Sequence, residues 1–291
     1  MTIGDLLKDA AARLAEAGID GAAREARLLL QAAGDVPLAA QMAYPEREVE
    51  MATLARFHTL VARRAGREPM AHILGRREFW SLPFKVTADT LDPRPDSEIL
   101  VQAVLGKVGD RSAPLRLLDF GTGTGCLLLA LLHELGNATG LGIDLSRAAL
   151  VVAEENARAL GLASRASFRH GDWDAAADPG FDIIVSNPPY IATGDLAALQ
   201  PEVARFEPRL ALDGGPDGLA AYRRLMPAAA RLLGRGALAA LEIGAGQDHS
   251  VIRIGQAAGL RHIATTADLG GVARCVVFRK DQAVQEVDRD A

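Results

Sequence analysis

The sequence predicts an α/β fold: a mostly parallel sheet with helices on both faces, ending in an antiparallel hairpin and preceded by a small helical domain. Three observations predict it. From Leu115 onward, short apolar runs alternate with segments of helical period, the order expected of βαβ units. The last two apolar runs, His262 to Ala267 and Val272 to Phe278, are joined only by Asp268 to Gly271, and so short a link makes an antiparallel pair. Residues 1–75 read as helices. For 291 residues the length suggests about two domains. The expected division is a helical domain over 1–75, a hairpin linker over 76–91, the α/β domain over 92–280 and a polar, flexible tail over 281–291.

Each element has a local reason. Thr2 to Asp5 makes a capping-box-like start, and Ile3, Leu6, Leu7, Ala10 and Leu14 then mark one helical face that Gly18 ends. Asp20 can cap a second helix through Leu28, Leu29 and Leu30, and Val49, Thr53, Phe57, Leu60 and Val61 line a third. Arg56, Arg63, Arg64, Arg67, Arg76 and Arg77 cluster toward the end of this region, as a solvated helix face or as a docking patch for an acidic or RNA-like partner. Glu78 to Val86, EFWSLPFKV, predicts a hairpin turning at Ser81 to Pro83. Asp92 to Pro95 is extended loop, and Pro95 suits the position before a helix through Ile99, Leu100, Val101 and Val104.

In the α/β region, strands are expected at Leu115 to Phe120, Gly140 to Asp144, Ala166 to His170, Phe181 to Ser186 and Ala237 to Ile243, before the terminal pair. Helices are expected at Cys126 to Leu135, Ser146 to Leu160, around Leu219 to Leu233 and near Asp248 to Ala258. Ile183, Ile184 and Val185 form a continuous β-branched run, which fits a strand covered on both faces.

Composition narrows the function classes. A net charge of −5 and a pI near 5.7 disfavour a large duplex-binding surface, because non-specific affinity for nucleic acid comes mainly from neutralised phosphates. Cys126 and Cys275 lie far apart in apolar runs with no metal-ligand spacing, and the six histidines are scattered. This fits a reducing cytoplasm and offers no metal site. The longest aliphatic block, Leu127 to Leu132, is too short to span a bilayer.

Two segments carry chemistry. Asp119 to Gly125, DFGTGTG, follows a strand and opens a helix. Gly121, Gly123 and Gly125, with Thr122 and Thr124 between them, let a ligand lie against bare backbone near the positive end of that helix. A dinucleotide fingerprint would place its third glycine at Cys126. Asp144, ending the next strand, can take both ribose hydroxyls of an adenosine-containing ligand, or it can cap a helix, a role for which Ser146 is an equal candidate. Trp173 can stack on adenine and Asp172 can accept from its amine, although Trp173 could equally pack between loops.

The second segment is Phe181 to Tyr190, FDIIVSNPPY. Pro188 and Pro189 push their predecessors into extended geometry and have no N–H to donate. The Asn187 side-chain oxygen and the Pro188 carbonyl are therefore candidate acceptors for the two hydrogens of an incoming NH₂ group, with Tyr190 able to cover its flat face.

Together these elements resemble the class I, Rossmann-like methyltransferases, and more narrowly the release-factor glutamine methyltransferases (the PrmC/HemK family). The resemblance spans ARLLL (Ala26 to Leu30), EPMAHILG (Glu68 to Gly75), EFWSLPFKV, PRPDSE (Pro93 to Glu98), DFGTGTG, GID, NPPY, FEPRLALDGGPDGL (Phe206 to Leu219) and LEIGAGQ (Leu241 to Gln247). NPPY is shared with amino-methyltransferases of DNA adenine; the combination with the other segments is more specific. The resemblance implies S-adenosylmethionine held by Gly121 to Gly125, Asp144, Asp172, Trp173 and Asn187. It implies a substrate glutamine held by Asn187, Pro188, Pro189 and Tyr190, with Asn187, Pro188 and Tyr190 catalytic. The implied substrate is the glutamine of the GGQ motif in class I peptide-chain release factors, and the helical domain would recognise that partner. A cytoplasmic monomer without stable nucleic acid or membrane attachment is expected. His72 stands where the family usually has tyrosine, Asp92 where an apolar residue is usual, and Asp96 and Ser97 replace the commoner Glu and Thr.

Overall fold

A computed structural model describes residues 1–34, 36–173 and 178–281; most of the expected tail, 282–291, lies outside the described residues. The first elements are α1 (Ile3–Glu16), α2 (Ala22–Gly34), α3 (Leu38–Ala43), α4 (Met51–Ala65), α5 (Met70–Leu74), β1 (Arg76–Phe79) and β2 (Leu82–Lys85). There follow α6 (Glu98–Leu105), β3 (Arg116–Phe120), α7 (Cys126–Glu134), β4 (Thr139–Asp144), α8 (Arg147–Ala159), β5 (Ala166–His170) and β6 (Phe181–Ser186). The remainder is α9 (Pro201–Phe206), α10 (Ala220–Leu232), β7 (Leu233–Glu242), α11 (Asp248–Ala257), β8 (Leu260–Ala267) and β9 (Ala273–Lys280). Among the described residues no helix is long and apolar enough to cross a membrane.

The chain divides into two compact units. The first is Met1–Arg76 together with Leu199–Phe206. Thr2 caps α1 by accepting from the Asp5 amide at 3.2 Å, and Ile3, Leu6, Ala10 and Leu14 face a core shared with Leu29, Leu30, Phe57 and Val61. The second helix differs from expectation: Gly21, with φ +69°, precedes α2, and its carbonyl takes the Arg24 and Glu25 amides. Glycine reaches that left-handed turn without penalty, so Asp20 stands one residue too early to cap. Of the six clustered arginines, Arg56, Arg63 and Arg76 are exposed as a solvated face would be, but Arg64 and Arg67 face inward. Arg64 donates to Glu25 at 2.6 Å and to Glu202 at 3.0 Å, and Arg67 donates to Glu202 at 2.7 Å. This ion-pair network ties the late helix α9 into the first unit.

The second unit, Arg77–Ala198 with the chain from Glu207 onward, is built on a seven-stranded sheet of order β5-β4-β3-β6-β7-β9-β8. β5, β4, β3, β6 and β7 are parallel, whereas β9 runs antiparallel to β7 and to β8. The order reverses between β3 and β6, and that switch point opens a crevice at the carboxyl ends of the strands. Leu117, Ile183 and Val185 face one core, and Leu118, Phe120 and Ile184 the other, as a strand covered on both sides requires.

The EFW hairpin turns one residue earlier than expected. Trp80 and Ser81 take φ of 54° and 57°, the geometry of a tight hairpin turn, and Pro83 falls inside β2. Left-handed geometry is unusual for these residues; here Glu98 accepts from the Trp80 amide and Glu134 from its indole, each at 2.8 Å.

Candidate active site

The glycine loop leaves β3 with φ of 70° at Gly121, 54° at Gly123 and 80° at Gly125, conformations that favour glycine at each turn. Gly125 has a second reason, since a Cβ there would lie 3.1 Å from Leu129 and 3.3 Å from Ala153. Beneath the loop the Thr122 hydroxyl donates to Asp119 at 2.7 Å. Burial pushes the Asp119 carboxyl up to about 7. Asn156 fastens the loop from the side, donating to the Thr124 carbonyl at 2.9 Å while it exchanges hydrogen bonds with the backbone of Lys85.

Asp144 is not the helix cap. Ser146 takes that role, accepting from the Ala149 amide at 3.1 Å. Asp144 instead accepts from the Gly123 amide at 2.9 Å with one oxygen and from the Ser146 amide at 2.8 Å with the other. The carboxylate has acceptor capacity beyond these amide bonds to offer the hydroxyls of a ribose. Burial, the largest influence, raises its pKa despite backbone hydrogen bonds from Ser146, Gly123 and Leu145. The left-handed glycines and this fixed carboxylate fit the adenosine part of S-adenosylmethionine.

Asp172 accepts from the Trp173 amide at 2.8 Å and pairs with Arg224, whose guanidinium stands 5.6 Å from the centre of the Trp173 ring. Burial would raise the Asp172 carboxyl, but hydrogen bonding from Arg224 and the Trp173 amide holds it low. No local pattern in α10 marks Arg224 for this site; only the crossing of α10 behind Trp173 brings it there.

At the end of β6, Ser186 donates to the Phe120 carbonyl at 2.7 Å, tying the start of the second segment to β3. Asn187 donates through Nδ2 to the Ser97 hydroxyl at 3.2 Å, which leaves its Oδ1 available. The loop that follows β6 is braced by 213–218. Ile191 and Asp213 form a bridge, Gln247 donates to the carbonyls of Tyr190 at 2.9 Å and Gly218 at 3.3 Å, and the Gly244 amide donates back to Gln247 at 3.0 Å. The Tyr190 hydroxyl lies 3.4 Å from Glu242, and burial, reinforced by that carboxylate, raises its pKa.

One cavity of about 270 Å³ gathers most of the expected residues. Gly121, Thr122, Gly123, Thr124, Asp144, Asp172 and Trp173 line it together with Asn187, Pro188 and Pro189. Gly125 and Tyr190 are not among its lining residues: Gly125 is packed beneath the loop and Tyr190 is drawn toward Glu242. Arg94 and Ser97 of the PRPDSE segment also reach the wall. That segment is a short 3₁₀ turn, Pro95–Ser97, leading into α6. It is anchored by Glu207, which accepts from the Asp92 amide at 3.1 Å and from Arg94 at 3.2 Å. Burial lifts the Glu207 carboxyl to about 7. Sequence reasoning missed Ser97, Glu242 and Gln247 as members of the site. Glu242 had a signal, a carboxylate closing the apolar run ALAALE; Ser97 and Gln247 had none beyond the resemblance.

Known proteins agree with this architecture. The family model described as PrmC N-terminal domain matches residues 5–75, and one described as methyltransferase domain matches 112–216. The release factor glutamine methyltransferase of Rhodospirillum rubrum is 45% identical over 97% of this chain and 86% of its own length. That of Caulobacter vibrioides is 45% identical over 92% of this chain and 93% of its own. Among solved structures, the ribosomal protein L11 methylase of Lactobacillus delbrueckii subsp. bulgaricus shares the fold with a TM-score of 0.50 at 18% identity, covering 66% of this chain and 82% of that one.

Proposed function

This chain belongs to the release factor glutamine methyltransferases, and from that premise we propose that it methylates the side-chain amide nitrogen of the glutamine in the GGQ motif of class I release factors, with Asn187 and Pro188 holding that amide. S-adenosylmethionine is the methyl donor. When bound it supplies an electrophilic methyl on a cationic sulfur, which departs as a neutral thioether.

The chain's own residues deal with the acceptor. An amide nitrogen is a poor nucleophile because its lone pair is delocalised into the carbonyl. Asn187 Oδ1 and the Pro188 carbonyl accept its two hydrogens, aim the nitrogen at the methyl group and stabilise the positive charge that grows as the N–C bond forms. One of those hydrogens then leaves as a proton to solvent. Asp144, Gly121 and Gly123 hold the donor, and Trp173 and Asp172 meet its adenine. Tyr190, tied to Glu242, keeps the end of the loop in place.

The observation that carries this reading is the shared cavity: Asn187 and Pro188 line the same 270 Å³ space as Gly123 and Asp144. A donor seated on the glycine loop and an amide seated on Asn187 therefore meet at the switch point of the sheet. The net charge of −5 and 4% aromatic content favour a protein acceptor over a nucleic-acid base, and a cytoplasmic monomer fits a translation-factor substrate.

The test offers labelled S-adenosylmethionine with release factors, ribosomal proteins and oligonucleotides. Label on the GGQ glutamine of the release factor is the expected result; label on oligonucleotides alone overturns the assignment. Asn187→Ala is expected to cut turnover on the order of 10²-fold.

A further inference from the structure

The parallel register pairs Ser186 of β6 with Leu241 of β7, so Asn187, just past the end of β6, and Glu242, the last residue of β7, come side by side. Glu242 is 3% exposed and Ser97 also 3%. A buried carboxyl in apolar surroundings is costly unless donors reach it. One oxygen of Glu242 meets the Tyr190 hydroxyl at 3.4 Å, and the other, Oε2, is buried without a donor of standard geometry. Among the influences that oppose the rise in this carboxyl's pKa, hydrogen bonding from the Ser97 hydroxyl is the largest.

The directions of these bonds are coupled. Ser97 has a single proton to donate. When Glu242 takes that proton, the Ser97 oxygen is left as an acceptor toward Asn187, and the observed contact is from Asn187 Nδ2 at 3.2 Å. An Asn side chain that donates toward Ser97 presents its Oδ1 on the opposite side. The reverse rotamer would place Oδ1 against Ser97, claim the hydroxyl proton and turn the NH₂ group toward the incoming amide. Two NH₂ groups facing one another cannot bond, so that rotamer is unproductive.

We propose that Glu242, acting through the Ser97 hydroxyl, is a positioning residue that fixes which end of the Asn187 amide faces the substrate nitrogen. The inference rests on Asn187 holding the glutamine amide. It assigns a role to Ser97, which replaces the family's commoner threonine with the same hydroxyl, and to a carboxyl that contributes no direct contact to either reactant. Its effect falls on turnover, because the donor subsite around Asp144 and Gly123 involves neither residue.

The experiment measures kcat and KM for S-adenosylmethionine with a release factor as acceptor, in Ser97→Ala, Ser97→Thr, Glu242→Leu, Glu242→Gln and Asn187→Ala. Glu242→Leu removes a buried carboxyl from an apolar core, and retained donor binding by calorimetry shows that the site is folded. Ser97→Ala and Glu242→Leu are expected to lower kcat about tenfold, the scale of one lost hydrogen bond, with KM for the donor little changed. Ser97→Thr keeps the hydroxyl and Glu242→Gln keeps an acceptor, so both recover most of that loss. Wild-type kcat in Ser97→Ala or Glu242→Leu, with Asn187→Ala inactive, overturns the positioning role and leaves the function standing. Loss of donor affinity in step with rate overturns it also, because the residues would then act on the donor pocket. Wild-type turnover in Asn187→Ala overturns both the inference and the reading beneath it.

Discussion

Gly218 and Tyr190 meet backbone to backbone: a Cβ at position 218 would lie 2.4 Å from the Tyr190 carbonyl oxygen. Gly218 also has φ +72°, so any side chain there is strained twice. The contact couples the DGGPDGL loop to the loop that follows β6. Gly218→Ala is expected to displace Tyr190 and with it Pro188, lowering kcat by about 10²-fold through misplacement of the acceptor. Steady-state kinetics check it, with donor affinity as the internal control.

Asp144→Ala acts on the other reactant. It removes the acceptor of both the Gly123 and Ser146 amides and, in the proposed complex, of two ribose hydroxyls. Hydrogen bonds to a charged group are among the stronger ones, so donor affinity should fall on the order of 10²-fold. Isothermal calorimetry with S-adenosylmethionine or its demethylated product measures this directly. Asn187→Ala should lower the same affinity much less than Asp144→Ala does, because its main loss is on the acceptor side.

Glu242 gives stability a pH dependence with a definite sign. Burial, only partly offset by hydrogen bonds from Ser97 and Tyr190 and by the charge of Arg274, lifts its folded pKa from 4.5 to about 7. Between those values the folded state holds a proton that the unfolded chain has released, so stability falls as pH rises through that window and levels off above it. Glu242→Gln lacks this term. The stability of the wild type relative to Glu242→Gln should therefore be greater at pH near 5 than near 8, as read from urea midpoints. Glu207, also lifted to about 7, is common to both proteins and cancels.

In the helical unit, Glu202 is the shared partner of Arg64 and Arg67, with side-chain exposures of 14%, 8% and 19%. Glu202→Gln leaves the buried Arg64 with Glu25 as its remaining carboxylate. A loss of about 2 kcal/mol in unfolding free energy is expected, below the full cost of breaking a buried pair because Glu25 persists. Chemical denaturation measures it, and calorimetric donor affinity should stay the same.

Much of the sheet was legible because its signals are local. Ile183 to Val185 is β-branched without interruption, the Asp268 to Gly271 link is too short to cross over, and DFGTGTG announces a strand-to-helix turn. The hairpin at Trp80 was misplaced by one residue for the opposite reason. Two non-glycine residues at positive φ have no sequence signature, and the glutamates that brace Trp80, Glu98 and Glu134, come from elsewhere in the chain. Asp20 failed as a cap because the neighbouring Gly21 could make the turn more cheaply.

The sequence by itself marked the two candidate subsites, since a glycine loop after one strand and Asn-Pro-Pro-Tyr after another are backbone devices complete within a few residues. Only the tertiary structure decided how those subsites are held. Asp144 and Ser146 were equal candidates for the cap of α8 until Ser146 was seen to take it. That Asn187 donates to Ser97 follows from no local pattern, and Arg64 could be surface or staple until α9 brought Glu202 to it. A polar side chain carries no periodic mark of its partner. Its role is set by which buried donor or acceptor lies opposite, and that is settled when distant segments pack.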